Sequence, residues 1–334
     1  MKSPITGADM ILKREQRSMV FRKKEYPVQY HCYFCPDSKE QFTTTELDEL
    51  NLIQVYNQYR DKFNLPFPEE IRTTRELYGL SATKMAEVLG LGINCYRNYE
   101  QGEVPSESNA RLIQVAQDPE EFWSIVRLGG SVAGKQLEKL KSRIDHLIKQ
   151  KNSSTCVNLE EYLFGSMLPD EFSGYRKPRL DMLREMVLYF AEKVKPWKVK
   201  LNKLLFYADF LHFRKTGISM SGTRYCAIPM GPVPDNHQSI FELLEKQGAI
   251  AIESQEFSDG GIGERFYPGK DRAFDSERFS PGELNTLDLV KREFGNCTTR
   301  EIIEISHAEP GWIDNVANRG LISYQKYGFD LKGL

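Results

Sequence analysis

Residues 80–102, LSATKMAEVLGLGINCYRNYEQG, read as helix, tight turn, helix. Ser81 is a candidate N-cap, and Met85, Ala86 and Leu89 follow it at helical spacing. Gly90 and Gly92 then break the pattern, as a turn needs residues that tolerate positive φ. The second helix is expected to turn Ile93, Tyr96 and Tyr99-Glu100 inward and Asn94, Arg97, Asn98 and Gln101 outward. Asn and Gln can bond adenine bidentately, and Arg can bond guanine, in a major groove. The outward row is therefore a candidate set for reading base edges, and Lys84 joins it from the first helix. A surface helical hairpin with a polar face is the competing reading. The turn chemistry, the small Ala86 that permits a close helix crossing, the polar row and the closing Tyr99-Glu100-x-Gly102 together favour a helix-turn-helix.

The rest of the chain is multidomain and mainly α, with small β elements. Its 334 residues leave room for two or three domains, and 40% hydrophobic with 28% charged residues describes an ordinary globular protein. A net charge of −2 gives no global basic character, so any nucleic-acid contact must come from local patches. Acidic residues outnumber basic ones over 69–127, so one copy alone is expected to hold DNA weakly, whereas a dimer on two half-sites compensates. The six cysteines are scattered except for Cys32 and Cys35, which points to a reducing, cytoplasmic setting rather than a disulfide framework. No apolar run reaches the length of a signal peptide or a membrane span, and no membrane partner is expected.

Residues 1–68 form a ribbon-like β/α segment, with strands expected at 19–21 and 28–34 and a helix at 43–64 carrying Leu47, Leu50, Ile53, Val55, Tyr56 and Tyr59 inward. Lys13, Arg14, Arg17, Arg22, Lys23 and Lys24 make a basic cluster, a solvated face or a track for a phosphate backbone. Cys32-Tyr33-Phe34-Cys35 is a zinc-type knuckle, but a closed site needs four ligands. Ser3-Pro4-Ile5-Thr6-Gly7 has the shape of C-P-x-C-G with hydroxyls in place of both sulfurs. Hydroxyls are poor zinc ligands, so Cys32 and Cys35 are only weak metal candidates and no cofactor is expected. A C-x-x-C redox site usually opens a helix beside a strand, and the surrounding sequence does not support one.

Residues 1–127 resemble the MqsA-type antitoxins of bacterial toxin–antitoxin systems, on the SPITG/HCYFC pair and the run GLGINCYRNYEQG. The resemblance implies a small zinc-ribbon domain, here degenerate, followed by an all-α helix-turn-helix domain at 69–127. It places the family's base-contacting Asn on Asn94. The family's second contact, an Arg just before the Tyr, falls on Asn98, with Arg97 one position earlier.

Residues 128–178 read as a connector. A basic helix over 135–151 carries Leu137, Leu140, Ile144 and Leu147 as a narrow seam, for a coiled-coil homodimer or for docking within the chain. Asn152-Ser153-Ser154-Thr155 is a linker, and 162–172 a short docking segment. Residues 179–334 then read as an α+β domain, with helices at 179–194, 200–215, 236–247, 280–294 and 298–307. A strand is expected at 223–228, a rigid Pro229–Pro234 turn, and a hairpin around Ser258-Asp259-Gly260-Gly261.

Three marks in that domain, KLNKLLFYAD at 200–209, MGPVP at 230–234 and SHAEPGW at 306–312, look like the Panacea, or SocA-like, antitoxin domain. The resemblance implies a domain that binds and neutralises protein toxins and is not a catalyst. The residues expected to contact the partner are Tyr207, Asp209, Arg224, Pro232, Trp312 and Asp314, each with a structural role as the alternative.

Together these readings make an antitoxin that blocks a cognate protein toxin through its C-terminal domain and represses its own operon by binding operator DNA. An enzyme is not expected: His212, His237 and His307 stand alone, and there is no G-x-S-x-G, H-E-x-x-H or P-loop. A regulator answering a ligand or partner, with no toxin, is the alternative.

Overall fold

Two 11-residue strands, β1 (Ile11–Phe21) and β2 (Lys24–Phe34), pair antiparallel along their whole length. They are joined by Arg22 and Lys23, both at positive φ, the twist that a two-residue hairpin turn needs. The strands far outrun the expected 19–21 and 28–34. The cause is that β1 is largely solvent-exposed and carries charges on both faces, so it lacks the apolar alternation that betrays a strand. The computed structural model describes residues 1–153, 159–257 and 260–334, and the chain divides into two units, Met1–Val157 and Asn158–Leu334.

In the first unit the short β3 (Gln41–Phe42) pairs with the end of β2, and α1 (Thr45–Phe63) packs on β2. Thr44 caps α1 and Asn64 ends it in the left-handed region. Leu50, Val55 and Tyr59 face the core as expected, but Asn51, Gln54, Asn57 and Arg60 are buried as well. The amides explain this. Asn51 accepts from the His31 N–H at 2.8 Å and donates to the His31 carbonyl at 3.0 Å, and Gln54 does the same to Gln29 at 2.9 Å each way. Gln58 donates to the Pro27 carbonyl at 2.8 Å. Helix side chains thus finish the β2 edge that a further strand would otherwise have to pair.

Five helices follow: α2 (Pro68–Leu77), α3 (Ala82–Val88), α4 (Cys95–Glu100), α5 (Glu107–Val115) and α6 (Pro119–Gly129). Ile71, Tyr78, Met85, Ala86, Val88, Tyr96, Ile113 and Phe122 make one core. The basic helix α7 (Gly134–Ser153) belongs to the same core: Leu140 and Ile144 are buried in it, with Leu137 and Leu147 packed against it. Arg143 also donates to the carbonyls of Glu76 and Leu77 at the end of α2. The seam therefore docks within its own chain and is not free for a coiled coil with a second copy. Asn152 and Ser153, expected in a linker, close α7; Ser154 and Thr155 lie outside the described residues.

The second unit contains α8 (Leu159–Phe164), α9 (Leu180–Lys193), α10 (Lys198–Thr216), β4 (Tyr225–Ile228), β5 (Gly231–Pro234), α11 (His237–Lys246), β6 (Ile250–Glu256), β7 (Ile262–Pro268), α12 (Pro281–Phe294), α13 (Thr299–His307), α14 (Pro310–Ile313) and α15 (Tyr324–Tyr327). The docking segment expected over 162–172 is helical only as far as Phe164. Helix α10 is the axis of this unit. Every residue from Lys200 to Phe213 is buried, not the apolar ones alone. Helices α9, α12 and α13 and strand β5 surround it, which leaves no side for solvent. The expected rigid turn at 229–234 is only half a turn, because Gly231–Pro234 is a strand paired with β4. Prolines are tolerated there because β5 is an edge strand. The β6–β7 hairpin forms as expected, with Ser258 and Asp259 of its tip outside the described residues. The fold class is thus as the sequence reads: multidomain, mainly helical, with small antiparallel sheets.

Candidate functional site

The α3–α4 pair is built on a buried tyrosine frame. Ser81 accepts from the Lys84 amide and starts α3. Gly90, at φ +66, ends it. The Tyr96 hydroxyl donates to the Ile71 carbonyl at 2.7 Å, and Tyr99 accepts from Asn109 at 2.8 Å. Glu100, expected inward and as part of the closing motif, is paired twice by Arg75, at 2.5 and 3.2 Å, and Arg75 also reaches the Leu80 carbonyl. That pair fixes α4 against α2.

This frame leaves Asn94, Arg97, Asn98 and Gln101 exposed. Asn94 occupies the N-cap position, yet its side chain makes no capping bond. Ile93 departs from expectation. It is 72% exposed because α4 begins only at Cys95, which leaves Ile93 in the turn. Lys84 does not point freely outward: its ammonium bonds Glu87 at 3.0 Å and the Ser131 carbonyl at 2.8 Å.

The 3–7 and 32–35 stretches come together. Thr6 and Cys35 lie within hydrogen-bond distance, 3.4 Å, while Ser3 Oγ accepts from the amides of Ile5 and Thr6. Hydrogen bonding from Ser3 first, then Ser38 and Thr6, lowers the Cys35 thiol to about 6, whereas burial raises Cys32. Two thiols and two hydroxyls already bonded to their neighbours are not a structural zinc donor set. Among the described residues no group of three or more His, Cys, Asp or Glu side chains is placed to hold a metal.

In the second unit the sequence marks converge around α10. Tyr207, Asp209 and Pro232 are buried, so the expectation that these three side chains meet a partner directly is corrected. Tyr207 donates to Glu309 at 3.0 Å, and Glu309 also accepts from the amides of Lys332 and Gly333 at 2.9 Å each. Asp209 accepts from the amides of Met220 and Ser221 and the hydroxyls of Ser221 and Tyr225, at 2.6–2.9 Å. Lys203 donates to the Pro232 carbonyl at 3.0 Å, and burial lowers its pKa to about 7. Gly231, at φ +95, lets the β5 backbone approach: a Cβ there would stand 2.5 Å from Lys203 Cε.

Residues 201–313 match the model of the antitoxin SocA-like, Panacea domain. No curated protein matches the chain. In this second unit, exposed and half-buried side chains lie beside the buried marks. Trp312 stacks on His307 at 3.8 Å and donates to the Ile228 carbonyl at 2.7 Å, which fastens α14 to β4. Next to that bond, Met230 is 48% and Ile313 is 54% exposed. Asp314 is exposed and accepts from Tyr327 at 2.9 Å, and Arg224 pairs with Asp170 at 2.5 Å. The sequence shows Met230 only as the first residue of MGPVP and gives Ile313 no mark, because an apolar residue by itself does not reveal its exposure.

Proposed function

We propose that this chain is an antitoxin that neutralises a protein toxin by direct binding and represses its own operon. The observation that carries the reading is the match of residues 201–313 to an antitoxin-like domain. A binding role, rather than catalysis, also agrees with marks whose side chains are spent on internal bonds. The toxin surface is assigned to the exposed ground around α14: Met230, Trp312, Ile313 and Asp314, with Arg224 as a further candidate. Operator binding is assigned to α3 and α4 as a helix-turn-helix, with Asn94, Arg97, Asn98 and Gln101 reading bases. No helix among the described residues is long and apolar enough to cross a membrane, and the proposal is for a cytoplasmic protein.

Co-expression with the product of the adjacent reading frame tests this. The neighbour alone should arrest growth, and the chain should restore it and co-purify with it. A double variant, Met230→Asp with Ile313→Asp, should lose rescue while melting like the parent. A harmless neighbour would leave a DNA-binding regulator and remove the antitoxin reading.

A further inference from the structure

The β hairpin has two edges, and the fold treats them differently. On β2, the backbone groups of Gln29 and His31 point away from β1 and are taken by Gln54 and Asn51. Gln29 and His31 stand opposite Gln16 and Arg14. The alternation of an antiparallel pair therefore turns the N–H and C=O groups of Leu12, Arg14, Gln16, Ser18 and Val20 outward on β1. For Leu12, Gln16, Ser18 and Val20 no bond to those backbone groups occurs among the described residues. The strand is long and has no proline; Leu12 at 43% and Val20 at 70% are exposed, while Glu15, Arg17, Met19 and Phe21 on its other face are half-buried. Such an edge is a template for strand addition.

We propose that β1 pairs antiparallel with β1 of a second copy, across a twofold axis at Gln16, as the dimer contact of this protein. The occupant follows from the sequence of the edge. With Gln16 opposite Gln16, the pairs are Ile11 with Phe21, Leu12 with Val20, Lys13 with Met19, Arg14 with Ser18 and Glu15 with Arg17. Apolar residues meet at both ends, the central charges are opposite, and no like charges face each other. Sliding one copy by two residues destroys this. An axis at Glu15 sets Glu15 on Glu15 and Lys13 on Arg17; an axis at Arg17 sets Arg17 on itself. The whole strand is thus self-complementary in one register, as an isologous contact requires. The inference goes beyond the proposed function and stands whether or not the chain binds DNA or a toxin.

Sedimentation velocity on the full-length chain across the micromolar range is the test. The parent should be a dimer. Glu15→Arg sets Arg against Arg17, and Arg17→Glu sets Glu against Glu15, so each should raise the dimer dissociation constant by roughly tenfold. Glu15 and Arg17 also form an ion pair within their own strand; the double swap, E15R with R17E, restores both that pair and the pair across the axis, and should recover the dimer. Gln16→Pro removes both ladder bonds at the axis and none inside the hairpin, so it should give a monomer with the parent's circular dichroism. A monomeric parent overturns the proposal. So does a dimer that Q16P and the single swaps leave intact, since that contact would lie elsewhere.

Discussion

Asp209 is the residue for which motif and structure assign opposite roles, and Asp209→Ala separates them. Its carboxylate is fully buried and has four donors: two backbone amides and the hydroxyls of Ser221 and Tyr225. Removing it leaves the amides of Met220 and Ser221 without an acceptor, and neither can turn away. At about 1–3 kcal/mol for each stranded group, and with the hydroxyls partly reorienting, the loss should be about 3–6 kcal/mol. That is a large share of the roughly 5–15 kcal/mol that holds a domain together. Asp209→Asn keeps an acceptor for the amides and should cost about 1–3 kcal/mol. Urea unfolding followed by tryptophan fluorescence reads both, since Trp197 and Trp312 lie in the same unit. An Asp209→Ala chain that unfolds with the parent's midpoint but no longer binds its partner would refute the reasoning and restore Asp209 to a contact surface.

Other outcomes follow from the same geometry. Asn94→Ala and Arg97→Ala should each weaken operator binding by about 1–3 kcal/mol in a gel-shift titration, with melting unchanged because both side chains are exposed. Glu100→Gln breaks its paired contact with Arg75 and should destabilise the first unit by about 1–3 kcal/mol, measured by urea unfolding. Trp312→Phe keeps the stack on His307 but strands the Ile228 carbonyl, at a cost of about 1 kcal/mol by the same method. Burial, aided by Arg176, lowers His212 from 6.5 to about 4. The fold holds it neutral, so its contribution is complete above pH 6.5 and is lost as pH falls toward 4, when only the unfolded chain takes the proton. At about 1.4 kcal/mol per pH unit, stability should drop by up to about 3 kcal/mol over that window, and His212→Leu should flatten this part of the acid limb in thermal melts.

The legible parts of the fold were those with local causes. Breakers and helical periodicity placed most of the longer helices to within a few residues, and those expected at 280–294 and 298–307 begin at the capping boxes of Ser280 and Thr298. Strand β1 escaped because a charged, exposed strand carries no pattern, and its existence depends on the β2 partner 11 residues wide. The exposed face of α4 was legible because Tyr96 and Tyr99 set its inward side. In the C-terminal unit the marks were visible but not their direction. Tyr207 and Asp209 are polar enough to suggest a surface, yet both are satisfied by segments far along the chain, Glu309 and Ser221 to Tyr225.

By itself, the sequence determined the helical architecture, the polar row 94–101, the Ser3/Thr6 and Cys32/Cys35 stretches and the antitoxin-like marks, since each rests on neighbouring residues and their side-chain chemistry. The tertiary structure alone decided which marks face solvent, that the α7 seam is consumed within its own chain, and that side chains of α1 close the β2 edge at Gln29 and His31. Those facts depend on what packs against each element. Burial and edge pairing belong to contacts between distant segments, which local periodicity does not encode.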